Sequence, residues 1–180
     1  MRDPRRRLPA AFALALLAGG VALADQTGLP GRPATAADVA AWNVDVEATG
    51  AGLPPGRGSV ADGERVFAAR CAGCHGSAGQ GGPMDRLVGG QGTLASDKPV
   101  KTIGSFWPYA TTVFDYVRRA MPFDRPGTLS NDDVYAVTAW LLFANGVIGR
   151  DAVMNARTLP AVAMPNRAGF LEHDPRPDAP

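Results

Sequence analysis

Cysteine and histidine are scarce in this 180-residue chain, which has two of each. Both cysteines, Cys71 and Cys74, lie in the heptapeptide RCAGCHG, and His75 follows the second directly. A structural zinc site takes four ligands, and these three residues have no second cluster to complete one. No alternation of strands and helices surrounds the pair, so the sequence also argues against a thioredoxin-like dithiol.

An excess of charge of one sign is also absent. The chain has 18 Lys and Arg against 17 Asp and Glu, a formal net charge of +1. Residues 1–24 contain four arginines and one aspartate. Residues 25–180 therefore have 14 basic residues against 16 acidic residues, a net charge of −2. Without a basic stripe, the sequence does not predict a nucleic-acid partner.

Long apolar runs are limited to one, at residues 8–23, and no second run of spanning length follows. It comes after an arginine-rich start and ends at Ala22-Leu23-Ala24, a cleavage pattern of small residues. These features predict a secretory signal peptide over residues 1–24, cut before Asp25, and a periplasmic protein. An uncleaved anchor is the alternative, although the run is short for a bilayer span of about 20 residues.

The C-x-x-C-H motif has what covalent haem attachment needs. The thiols of Cys71 and Cys74 would add to the two vinyl groups of the porphyrin, and His75 would bind the iron. The sequence contains this motif once, so it predicts one haem c.

The second axial position on the iron has several candidates. Met121 is favoured because it ends a predicted helix just before Pro122, where a side chain can point into a pocket. Met164 stands in a similar Met-Pro context and is the alternative, whereas His173 lies in a polar, proline-rich terminus. The other methionines after the motif are Met84 and Met154.

Three helices are predicted, which places the chain in the all-α class. Ser59 and Asp62 form the first cap, and Gly63 within that helix indicates close approach of another helix. The second helix is predicted from Pro108 to about Ala120. The third begins after a cap at Ser130 and ends at Gly146.

The remaining chain predicts loops and extended arms. The sequence is divided into an arm at 25–58, a helical domain at 59–149 and a tail at 150–180. Glycine is frequent after His75, so a loop should fold over one haem edge, and a backbone carbonyl near Pro83 is expected to accept the Nδ1–H of His75. The alternative is that Pro83 only makes a turn.

These features resemble the class I cytochromes c in the order of the first helix, the haem motif, the Met-Pro pair and the last helix, from about Ser59 to Gly149. A narrower resemblance covers about Trp42 to Phe170. It is to the cytochrome subunit of periplasmic sulfur-oxidising molybdenum enzymes, the sulfite dehydrogenases and the sulfane dehydrogenase of the Sox system. It is carried by GLPPGRGSVADGERVFAARCAGCHG, DRLVGGQGTLA, KTIGSFWPYATTVFDYVRRAMPF, LSNDDVYAVTAWLL and MPNRAGF.

The resemblance implies a small helical fold around one haem, single-electron transfer and a molybdopterin partner subunit of sulfite-oxidase fold. It also implies that the first and last helices cross where Gly63 and Phe67 meet an aromatic residue. The Sox protein that it resembles often has a second haem domain, whereas this sequence contains a single C-x-x-C-H motif. Alternatives are a general electron carrier for other dehydrogenases and an open-iron haem enzyme such as a peroxidase.

Three further residues are candidates for contact with the haem propionates. They are Trp107, Tyr109 and Arg118. For the two aromatic residues, plain core packing is an equal alternative, because both are amphipathic.

Overall fold

The computed structural model describes residues 32–170, whose regular secondary structure is helical apart from two short strands and is joined by long loops. The elements are α1 (Ala36–Trp42), β1 (Arg57–Ser59), α2 (Val60–Arg70), α3 (Ala72–His75), α4 (Ala110–Ala120), α5 (Asn131–Ala144) and β2 (Val153–Asn155). The predicted all-α class is confirmed. The predicted signal peptide and His173 lie outside the described residues. No helix of residues 32–170 is long and apolar enough to cross a bilayer.

The described residues fall into two units, residues 32–39 and residues 40–170. In the described part of the first unit, the Thr35 hydroxyl accepts from the Asp38 N–H at 3.2 Å, and the Asp38 carboxylate accepts from the Thr35 N–H at 2.9 Å. Arg32 and Thr35 together lower the pKa of the Asp38 carboxyl. This reciprocal cap starts α1, a helix of seven residues that was too short to give a periodic sequence pattern.

The predicted caps of α2 and α5 are confirmed. Ser59 Oγ accepts from the Asp62 N–H at 3.1 Å, and Ser130 Oγ accepts from the Asp133 N–H at 3.1 Å. Each bond satisfies one of the amide groups that a helix leaves unpaired at its start. The local sequence was sufficient for these two helix starts.

The end of α5 also agrees with the sequence analysis. Gly146 has φ +70°, and its N–H donates to the Phe143 carbonyl at 2.8 Å. The Val147 N–H donates to the Leu142 carbonyl at 2.9 Å. This is a Schellman motif, in which glycine takes the left-handed conformation that closes a helix.

The start of α4 differs from the prediction, because Pro108 is not its first helical residue. Tyr109 is extended, with φ −137° and ψ 135°, and the helix begins at Ala110. Contacts from the C-terminal segment hold this approach: Asn166 Nδ2 donates to the Phe106 carbonyl at 2.7 Å. The Arg167 guanidinium lies 4.4 Å from the centre of the Tyr109 ring.

The crossing of α2 and α5 was predicted from Gly63 and is confirmed. A Cβ at Gly63 would lie 1.9 Å from the Ala136 carbonyl oxygen and 2.8 Å from Trp140 Cβ. One turn later, the rings of Phe67 and Trp140 stack with centroids 3.9 Å apart. The two helix backbones can approach this closely only because position 63 has no side chain.

The predicted arm and tail both contribute to the hydrophobic core of the second unit. β1 and β2 pair antiparallel, with Gly58 opposite Met154. The core includes Val46 from before β1 and Leu159 and Met164 from after β2. Residues outside 59–149 therefore help to bury the apolar side chains of the helices.

Candidate haem-binding site

The C-x-x-C-H motif forms a continuation of α2. The N–H of Cys71 donates to the Phe67 carbonyl at 2.9 Å, and the N–H groups of Cys74 and His75 donate to the Cys71 carbonyl at 3.1 and 3.0 Å. Residues at i, i+3 and i+4 of a helical turn share one face. Both thiols and the imidazole thus emerge from one face of a single turn.

The two thiols do not form a disulfide. Burial, and to a lesser degree the nearby Cys74, raises the pKa of the Cys71 thiol to about 11. A redox-active Cys-x-x-Cys pair has the opposite property, a thiol pKa lowered toward or below neutrality. Cys71 therefore lacks the lowered pKa of a redox-active thiol, which agrees with a thiol that adds to a vinyl group.

One ring nitrogen of His75 forms a hydrogen bond within the protein. Its Nδ1 lies 2.7 Å from the backbone oxygen of Asp85. A carbonyl oxygen only accepts, so Nδ1 carries the proton and donates. Nε2 is then left with the lone pair that a metal needs, and the hydrogen bond orients the ring.

The acceptor for His75 is Asp85, two residues beyond the expected Pro83. The Met84 N–H donates to the Cys74 carbonyl at 2.9 Å, which ties the loop back to the motif. The lack of a side chain at Gly82 permits this close approach, because a Cβ there would lie 2.8 Å from the Cys74 oxygen. A backbone carbonyl has no side-chain signature, so the sequence indicated the loop but not the residue.

The four candidate methionines have different surroundings. Met121 caps the end of α4, where its N–H donates to the Val117 carbonyl at 3.1 Å, and its side chain packs, partly buried, against the core. Met154 and Met164 are 5% and 3% exposed and belong to the protein core, whereas Met84 is 51% exposed. Met121 is thus neither fully enclosed by protein nor turned out to solvent.

The three predicted propionate contacts have protein partners. Trp107 is half-buried and contacts Tyr116, with ring centroids 5.8 Å apart. Tyr109 lies beneath Arg167, which the sequence analysis did not single out. Arg118 Nη1 donates to the Val44 carbonyl at 3.1 Å. The contact of these three residues with the haem propionates stays a prediction.

A cleft of about 570 Å³ lies away from the motif, between the N-terminal ends of α2 and α5. Its charged lining residues already have local roles. Asp62 pairs with Arg65, and Asp132 accepts from the Arg57 N–H at 2.7 Å. None of its lining residues belongs to the C-x-x-C-H turn.

The donor set fits a haem. Two free thiols on one helical turn, an imidazole with Nε2 available and a partly buried thioether are the groups that a c-type cytochrome uses. Cys71 and Met121 also pack against the same hydrophobic core, together with Trp107. The helices, their crossing and this site define the class of protein as a class I cytochrome c.

Comparisons with known proteins agree with this class. Residues 58–141 match the family model described as cytochrome C oxidase, cbb3-type, subunit III. A chain in the crystal structure of the sulfane dehydrogenase SoxCD from Paracoccus pantotrophus superposes with a TM-score of 0.76 at 47% sequence identity. That alignment covers 82% of this chain and 73% of the other. A search of curated proteins gave no match.

The chain belongs to the cytochrome c family. This membership assigns haem c as the cofactor and electron transfer as the role. The predicted resemblance to the Sox-type sulfur-oxidising enzymes is confirmed by the similarity to the SoxCD chain.

Proposed function

We propose that this chain is a periplasmic cytochrome with one covalently attached haem c, and that it accepts single electrons from the molybdenum subunit of a sulfite or sulfane dehydrogenase. The observation that carries the proposal is the 47% identity to a chain of SoxCD over 82% of this chain. One C-x-x-C-H motif supports one haem. The periplasmic location rests on the signal-peptide pattern of residues 1–24.

The motif residues attach and orient the cofactor. Cys71 and Cys74 hold the porphyrin through thioethers, and His75 binds the iron through Nε2. The Asp85 carbonyl keeps Nδ1 of His75 protonated and thereby increases the basicity of Nε2. When bound, the haem supplies an iron that changes between the ferric and ferrous states and so stores one electron.

Ligation of the iron by Met121 would distinguish an electron carrier from a haem enzyme with an open iron. The Met121 thioether, if bound to the iron, would favour the ferrous state, raise the reduction potential and close the iron to small substrates. Met121 ends α4 with its side chain only partly buried in the protein, which supports this assignment. A peroxidase would need the same position open.

The partner assignment implies a simple electron count. Oxidation of one sulfur centre at molybdenum releases two electrons, and this chain takes one at a time. Each turnover of the dehydrogenase therefore loads the cytochrome twice, with an onward transfer to a downstream acceptor between the two events.

An exposed aromatic residue supports docking to a partner subunit. Trp42 is 85% exposed, whereas Trp107 and Phe170 each contact another aromatic ring of the same chain. Tryptophan is enriched among the residues that carry most of the energy of an interface. Trp42 is therefore our candidate anchor for the molybdenum subunit.

The test mixes the purified haem-loaded chain with the candidate dehydrogenase subunit and follows reduction of the haem after addition of sulfite. We expect reduction in the presence of the subunit and none in its absence. Absence of reduction by sulfite, thiosulfate and sulfane sulfur alike would remove the molybdenum partnership and leave a general electron carrier.

The docking role of the arm needs a point substitution, since Val46 and Leu159 are buried and deletion of either flank would disturb the core. Trp42→Ala should raise the cytochrome concentration for half-maximal rate about 30-fold, corresponding to ~2 kcal/mol for an anchor residue. Phe123→Ala, at another exposed aromatic residue, is the matched control. Equal effects of the two variants would contradict docking through Trp42.

A further inference from the structure

The segment at residues 44–48, which we name the strap, lies along α4. The Val46 N–H donates to Asp115 Oδ1 at 3.1 Å, and Arg118 Nη1 donates to the Val44 carbonyl at 3.1 Å. The Val46 side chain is buried in the hydrophobic core to which Val113 and Val117 of α4 also belong. The strap is therefore joined to the last two turns of α4 by hydrogen bonds and shares the core with this helix.

Two further contacts extend this attachment. Thr111 Oγ1 donates to the Ala48 carbonyl at 3.1 Å near the start of α4. Near its end, Arg119 lies 3.4 Å from Asp45 of the strap. The strap thus contacts α4 along most of the length of the helix.

Asp115 is the central residue of this arrangement. It is 9% exposed, and its two carboxylate oxygens have different partners: Oδ1 accepts from Val46 and Oδ2 pairs with Arg119. A buried carboxylate is tolerated only when such partners satisfy it. Loss of Asp115 would therefore leave the Val46 N–H buried without an acceptor and would leave Arg119 paired with Asp45 alone.

The position of α4 determines where the backbone of Met121 lies, since Met121 is the residue directly after this helix. On another face, α4 packs on α5 through Phe114, whose ring centroid lies 4.4 Å from that of Tyr135. Met121 follows the last turn directly, and its N–H closes that turn on the Val117 carbonyl. Because methionine is unbranched and flexible, the direction of its side chain depends on how firmly this last turn is held.

We propose that Asp115 is a positioning residue for the axial ligand: by holding the strap against α4, it directs Met121 toward the iron and stabilises the sulfur–iron bond. The inference rests on the proposed ligation by Met121. The strap would thus set the balance between methionine-bound and methionine-free iron through the position of α4.

The experiment uses the full haem-loaded chain in the ferric state. The first readout is the weak charge-transfer band near the red end of the visible spectrum, which reports methionine ligation. The second is the affinity for imidazole, which competes with the methionine for the iron. Asp115→Leu should weaken the band and increase the imidazole affinity about tenfold, as expected for loss of a hydrogen bond to a charged group.

Matched variants make the result decisive. Asp124→Asn removes an exposed carboxylate and should change neither readout. Thr111→Val keeps the shape of a buried side chain and removes only the bond to Ala48, so it should increase the imidazole affinity about threefold. It replaces Asp115→Leu as the deciding variant if circular dichroism shows that the latter does not fold.

The outcomes separate this inference from the ligation itself. If Met121→Ala loses the band while folded Asp115→Leu and Thr111→Val keep both the band and the imidazole affinity of the parent, the positioning role is wrong and the ligation stands. If Met121→Ala keeps the band, the ligation is wrong and the inference falls with it.

Discussion

The histidine side and the methionine side of the candidate site differ in the span of chain that builds them. On the histidine side, the bond from His75 to the Asp85 carbonyl joins residues ten positions apart. On the methionine side, the bonds that hold α4 join Val46 to Asp115, 69 positions apart, and Arg118 to Val44, 74 positions apart.

This difference has an energetic consequence. Closing a long loop costs more chain entropy than closing a short one, and the contacts that close it form only when the rest of the domain has folded. The bond that orients His75 therefore closes a short loop at a lower entropy cost. The methionine side depends on the packing of the strap, α4 and α5, so distant substitutions should affect it more.

The largest effect should come from removal of the histidine-side anchor. Cys71→Ala combined with Cys74→Ala removes both thiols, so the chain should keep no haem after denaturing acid extraction. The measurement is haem staining of the denatured protein. Cys74→Ala alone leaves one thiol and should keep part of the haem attached. Haem retained by the double variant would show that the motif does not attach it.

Removal of the methionine-side ligand should abolish one spectral feature completely. Met121→Ala should lose the charge-transfer band and lower the reduction potential, because the thioether stabilises the ferrous iron. Met164→Ala, at a buried core position, should keep the band and lower the free energy of unfolding by about 2–5 kcal/mol. The reverse pattern would show that Met164 is the ligand.

The α2–α5 crossing supports both sides, so its disruption should lower stability without selecting one of them. Gly63→Ala places a methyl group against the Ala136 carbonyl and should lower the free energy of unfolding by about 1–3 kcal/mol. Gly149→Ala, where a Cβ meets no atom within 4 Å, is the control. Equal denaturation midpoints for the two variants would contradict the tight crossing.

The smallest effect should come from a local cap on the histidine side. Ser59→Ala removes the acceptor for the Asp62 N–H and should lower the free energy of unfolding by about 1 kcal/mol. The charge-transfer band should remain, because α2 does not contact the methionine through this cap. Exposed Ser77→Ala is the control, and a loss of the band in Ser59→Ala would weaken the separation of the two sides.

Local sequence patterns predicted the longer helices better than the short elements between and before them. Ser59 and Ser130 were recognised as caps because a hydroxyl three residues before an acidic residue acts through neighbouring amides alone. Gly63 was recognised because glycine within a helix usually has a packing reason. By contrast, α1 and the β1–β2 pair were missed, since each is too short for a periodic pattern.

Errors and omissions cluster where distant segments meet. Tyr109 is extended, and Pro108 lies outside α4, because the C-terminal Arg167 and Asn166 pack on that approach. The contact of Arg118 with a haem propionate stays a prediction, and its bond to the Val44 carbonyl of the strap had no sequence signal. Such partners are 58 or more residues away in sequence, and no spacing rule identifies them.

The sequence by itself determined the chemistry of the motif: two thiols and an imidazole on one helical turn, because i, i+3 and i+4 spacing needs only local hydrogen bonds. It also determined the starts of α2 and α5 through their serine caps and the end of α5 through Gly146. Only the tertiary structure decided that the Asp85 carbonyl orients His75 and that the strap holds α4. Those contacts join backbone and buried carboxylate groups whose partners are chosen by the folding of the whole domain, not by neighbouring residues.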